Sequence, residues 1–71
     1  MPSETETLAL HLVRALFQST GGRPHEWRML EELDGATTDA IEFAAARGWV
    51  VIQGGHSICL TDAGRRLVEA R

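Results

Sequence analysis

The chain has 71 residues, 44% of them hydrophobic, with ten acidic residues against seven arginines, no lysine and a formal net charge of −3. That length holds one domain with one small core, and the apolar content argues against disorder. No apolar run approaches the roughly 20 residues of a membrane helix. The acidic start MPSETETLALHLV lacks the basic segment of a signal peptide. A lone cysteine, Cys59, excludes an internal disulfide and makes a reducing cytoplasm the expected compartment. Arginine-only, alanine-rich usage is the mark of a GC-rich genome.

In chain order, Ser3-Glu4-Thr5-Glu6 has the form of a capping box, in which Ser3 accepts from the Glu6 amide. Leu8, Leu12, Ala15 and Leu16 follow at helical spacing, widened by Val13 and Phe17, and predict a first helix from about Glu4 to Gln18. Ser19-Thr20-Gly21-Gly22 ends it in a loop. Pro24 suits the first turn of a second helix, and Trp27, Leu30 and Leu33 at spacing three carry it to about Leu33. A tight turn at Asp34-Gly35-Ala36 precedes a third helix, capped by Thr37 or Thr38 and running to Arg47. Gly48 stops that helix.

Trp49-Val50-Val51-Ile52 reads as a strand, Gly54-Gly55 as a two-residue hairpin turn, and His56 to Leu60 as the returning strand. Thr61 caps a last helix with Asp62 in its first turn and Leu67 and Val68 inward. Trp27 and Trp49 are expected to anchor the core. Cys59, alternating with inward Ile58 and Leu60, is expected to be an exposed or edge thiol.

Gly48-Trp49-Val50 after a helix, a glycine hairpin, and Leu60-Thr61-Asp62-Ala63-Gly64-Arg65 together resemble the winged helix-turn-helix superfamily, especially small regulators of the MarR and PadR kind. The resemblance covers nearly the whole chain. It implies a single α+β, mostly α domain over residues 1–71: three helices, a two-stranded hairpin wing and a C-terminal helix. Its third helix would be the recognition helix, and its partner double-stranded DNA. Two features depart from the pattern. The interval from Leu33 to Gly48 is about one turn short, and the wing tip Gly54-Gly55-His56-Ser57 carries no Arg or Lys.

The candidate nucleic-acid contacts are Arg23, Arg28 and Arg47 for phosphates, with Thr38, Asp39 and Glu42 on the recognition helix. That helix is a poor base reader, since its outward positions Thr38, Asp39, Glu42, Phe43, Ala45 and Ala46 offer two carboxylates, an aromatic ring and small residues. A second reading therefore stands beside the first: an acidic winged helix that docks a protein through Asp39, Glu42, Phe43 and Ala46 and does not bind DNA. Arg65 is expected to tie the closing turn to its own fold. The broad apolar surface of the first helix (Leu8, Leu10, Leu12, Val13, Leu16, Phe17) points to a homodimer formed through it. His11, His25, His56 and Cys59 lack metal-ligand spacing, and no nucleophile, phosphate loop or carboxylate pair suggests catalysis or a cofactor.

Overall fold

A computed structural model of the protein describes residues 3–23, 25–33 and 36–70. Helix α1 spans Glu4–Thr20, strand β1 Trp27–Met29, a single 3-10 turn Leu30–Glu32, helix α2 Thr38–Ala46, strands β2 Val50–Gln53 and β3 Ser57–Leu60, and helix α3 Asp62–Glu69. The architecture is α+β and mostly α, with an antiparallel sheet in the order β1-β3-β2.

Local chemistry accounts for the helix ends. Ser3 Oγ accepts from the Glu6 amide at 3.1 Å, as the capping-box pattern requires. Thr37 Oγ1 accepts from the Ala40 amide at 3.2 Å and so caps α2. Past the C-terminus of α2, Gly48 takes φ +77°, a backbone conformation that a side chain would oppose. One face of α1 (Ala9, Leu12, Val13, Leu16) is buried against Ala40 and Ala44 of α2 and Val50, Ile58 and Leu60 of the sheet.

The main departure from the sequence reading lies between Arg23 and Leu33. The second helix does not form among the described residues: Trp27-Arg28-Met29 is a strand, and Leu30–Glu32 a single turn closed by the Leu33 amide on the Leu30 carbonyl. Two of the three spacing-three residues, Leu30 and Leu33, fit a 3-10 turn as well as a helix. What the periodicity could not weigh is the demand of β3. Its Ile58-Cys59-Leu60 core is buried on both faces, and a two-stranded hairpin alone is marginal in water. β1 supplies the second partner, pairing Trp27 with Cys59, Arg28 with Ile58 and Met29 with Ser57. The pairing continues on either side, through the His25 amide on the Leu60 carbonyl (2.8 Å) and the Leu30 amide on the His56 carbonyl (2.9 Å). The expected helix start at Pro24 and the turn residues Asp34 and Gly35 lie outside the described residues.

Two further expectations are corrected. Trp27 is no core anchor; it stands 42% exposed on the outer face of the sheet. Cys59 is no exposed or edge thiol; it is 2% exposed, on the central strand between its neighbours Trp27 and Val51. The hairpin loop holds three residues, Gly54-Gly55-His56, so that β3 begins at Ser57.

The approach of α3 to the chain before β2 explains the Leu60–Arg65 motif. Thr61 Oγ1 accepts from the Gly64 amide at 3.1 Å, and its own proton is shared between the carbonyls of Gly48 (2.6 Å) and Trp49 (2.9 Å). The Thr61 amide donates to the same Trp49 carbonyl. One threonine thus caps α3 and latches it to the end of α2. Gly64 lets the backbones meet: a Cβ there would lie 2.2 Å from the Trp49 carbonyl oxygen and 2.8 Å from Leu60 Cδ1.

Candidate interaction surface

Helix α2 is placed by Ala40 and Ala44, whose small side chains are fully buried and let it sit close to α1. Its outward residues are Thr38, Asp39, Glu42, Ala45 and Ala46, all exposed, as the sequence indicates. Phe43 is half-buried rather than outward. Its ring packs on Trp49 with centroids 5.9 Å apart, tilted by 52°, and Arg47 lies over it with Cζ 4.8 Å from the centroid. Phe43 and Trp49 both pack against the core, and Arg47 is drawn along α2 by a cation–π contact.

Of the candidate arginines only Arg47 belongs to α2, as its exposed C-cap. Arg28, on β1 and not on a helix, is held from four directions. Its Nε donates to Ser19 Oγ (3.0 Å), Nη1 to the Trp27 carbonyl (3.0 Å), and Nη2 to the Ser19 carbonyl (3.1 Å) and the Glu26 carboxylate (2.8 Å). These bonds tie the start of the sheet to the last turn of α1. A guanidinium with four of its five N–H groups spent internally has little left for a phosphate. Arg23, in the loop before β1, reaches the same Glu26 only at 3.9 Å, and its side chain is 79% exposed. Arg65 lies near Asp62 (4.0 Å) and Glu69 (3.6 Å), both on its own helix. Exposed Asp39 and Glu42 have no ion-pair partner among the described residues.

The apolar width of α1 is largely consumed within the domain. Leu12, Val13 and Leu16 are fully buried, and Leu8 and Phe17 pack against the core. The large hydrophobics left exposed among the described residues are instead Trp27, Met29 and Val51, all in the sheet. Sequence reasoning missed this face because it read Trp27-Arg28-Met29 as helix. The signal available was the unbroken apolar run Ile58-Cys59-Leu60, which marks a central strand wanting partners on both sides.

Burial pushes the Cys59 thiol pKa up, partly offset by a hydrogen bond with the Val51 backbone. The folded state therefore keeps the thiol proton to higher pH than the unfolded chain, so this group's contribution to stability falls as pH rises past the free-thiol range. Alkylation of native Cys59 is expected to be slower than in denaturant from neutral to mildly alkaline pH, as followed by mass spectrometry. Equal rates would contradict its burial.

No group of three His, Cys, Asp or Glu side chains comes together to hold a metal among the described residues. No helix among them is long and apolar enough to cross a membrane. No protein-family profile, characterised protein or solved structure matches the chain.

Proposed function

We propose that this chain is a winged-helix interaction domain that engages a protein, and not duplex DNA, through the exposed face of α2. The order α1, β1, 3-10 turn, α2, β2, β3, α3 suits a winged helix in which one 3-10 turn stands where the first helix of a helix-turn-helix would lie. The short interval from Leu33 to Gly48 is matched by a recognition helix of only nine residues, Thr38–Ala46. The single 3-10 turn leaves out the element that normally crosses the DNA backbone.

The observation that carries the reading is the charge of the α2 face: Asp39 and Glu42 are exposed and unpaired among the described residues, with Thr38 and Ala46 beside them and no basic side chain turned outward among them. Duplex DNA binding draws much of its affinity from phosphate neutralisation, and two unpaired carboxylates at the groove oppose it. Arg28, one of the candidate phosphate contacts, is occupied by Ser19 and Glu26. The hairpin adds Gly54, Gly55 and His56 at its tip and no arginine.

The test is titration with random-sequence duplex DNA across a salt series, on the parent chain and on an Asp39→Arg/Glu42→Arg variant. The parent is expected to show no binding even at low salt. The variant is expected to acquire weak binding that fades steeply as salt rises. Salt-dependent binding by the parent would overturn the reading in favour of a DNA-binding regulator.

A further inference from the structure

Among the described residues, helices cover only one face of the sheet; on the other, Cys59 of the central strand is buried while Trp27, Met29 and Val51 are exposed. Cross-strand partners share a face, so Arg28, Ile58 and Ile52 form one row and Val50 and Leu60 the next, on the side that carries the buried Ile58, Val50 and Leu60. On the opposite side lie Trp27, Cys59 and Val51, then Met29, Ser57 and Gln53. Trp27, Met29 and Val51 are 42%, 38% and 44% exposed. No helix packs over this side among the described residues, whereas α1 contacts β3 from the other. At its β1 edge a cleft of about 310 Å³ opens between Trp27, Arg28, Met29, Glu32 and Ser57.

The cleft is electrically unbalanced. Arg28 is neutralised by the Glu26 carboxylate at 2.8 Å and spends its other bonds on Ser19 and the Trp27 carbonyl. Glu32 is exposed and has no ion-pair partner among the described residues. An open indole beside an uncompensated carboxylate suits a cation, which gains from both the ring face and the charge. Arginine fits better than lysine, since its planar guanidinium stacks on indole and pairs with a carboxylate in a fixed fork. An anion finds Arg28 already occupied and Glu32 repelling it.

We propose that the outer face of the sheet is a second docking surface, taking a segment of a partner protein that carries arginine flanked by apolar residues. The guanidinium enters between Trp27 and Glu32, and the apolar neighbours lie along Met29 and Val51. A second copy of this chain is a poorer occupant. Three side chains each more than half covered leave far less area than the roughly 800 Å² per partner of a stable interface. The inference shares with the α2 reading only that the partner is a protein, and it stands on different residues, so each can fail alone.

The test uses two synthetic peptides, a leucine–arginine segment and the same segment with glutamate for arginine, followed by the indole N–H signals of Trp27 and Trp49. The arginine peptide is expected to shift the Trp27 signal saturably and leave Trp49 in place. Trp27→Ala should abolish binding as followed by amide shifts of β3, with the unperturbed Trp49 signal reporting an intact fold. Glu32→Gln should weaken binding roughly two- to fivefold, as for an exposed ion pair, and remove much of its salt dependence. Glu42→Arg should leave binding intact, separating this surface from α2. Equal binding of the glutamate peptide, no saturable shift, or a Trp27 shift that grows with protein concentration alone would overturn the proposal. The last result would make the occupant a second copy.

Discussion

Gly64→Ala is expected to lower unfolding stability by about 3 kcal/mol, at the upper end of what one added methyl does in a packed interior. The added Cβ would stand 2.2 Å from the Trp49 carbonyl oxygen, with Leu60 Cδ1 at 2.8 Å on another side. Leu60 can rotate, but the carbonyl belongs to backbone held by the Thr61 amide and hydroxyl. Relief therefore means moving α3 outward, which lengthens the bonds from Thr61 to Gly48 and Trp49 together. Better helix propensity of alanine returns only about 1 kcal/mol. Urea unfolding followed by tryptophan fluorescence measures the difference. A loss under about 1 kcal/mol would show that α3 sits farther from β2 than described.

Ile58→Ala is expected to cost about 3–4 kcal/mol, within the range for truncating a buried isoleucine. Ile58 is fully buried on the central strand, between Arg28 of β1 and Ile52 of β2. The cavity would open where α1 meets the sheet, and neither element can collapse into it without disturbing the other. For a domain of this size the whole stability is about 4–10 kcal/mol, so the loss would leave a substantial unfolded fraction. Val51→Ala, on the outer face of the sheet, serves as the comparison and should change stability by less than about 1 kcal/mol. Similar losses at both positions would mean that the two faces have been interchanged.

Much of this architecture is legible in the residues themselves. Ser3, Thr37 and Thr61 are short oxygen-bearing side chains before apolar helical patterns, and each caps a helix. Gly48 marks the end of α2 because that site needs a positive φ. These features are local, so neighbouring residues suffice to specify them. The segment after Arg23 is not legible locally, because its structure is decided by residues some thirty positions away. Trp27-Arg28-Met29 matches a helix by spacing, and only the unpaired edge of β3 makes it a strand. The exposed face of Trp27 and the place of Arg28 on a strand follow from that distant pairing.

On the candidate surface the sequence identified the α2 residues but not their surroundings. Thr38, Asp39, Glu42 and Ala46 are exposed as periodicity indicates. Phe43 turns aside because Trp49 follows the Gly48 reversal and offers it a ring, an arrangement set by the path of the chain after the helix. Arg28 counts as a free charge on paper and is committed in the fold, since Ser19 and Glu26 come to it from separate segments.

The strand order β1-β3-β2 also bears on how the chain is born. β1 precedes its strand partner β3 by some thirty residues, with α2 and β2 between them. During synthesis Trp27, Arg28 and Met29 must wait, without the ladder that makes them a strand, until Leu60 has left the ribosome. Such distant pairing slows folding and leaves little for an early fragment to settle into. In this chain the first half cannot take its final shape before the second half exists.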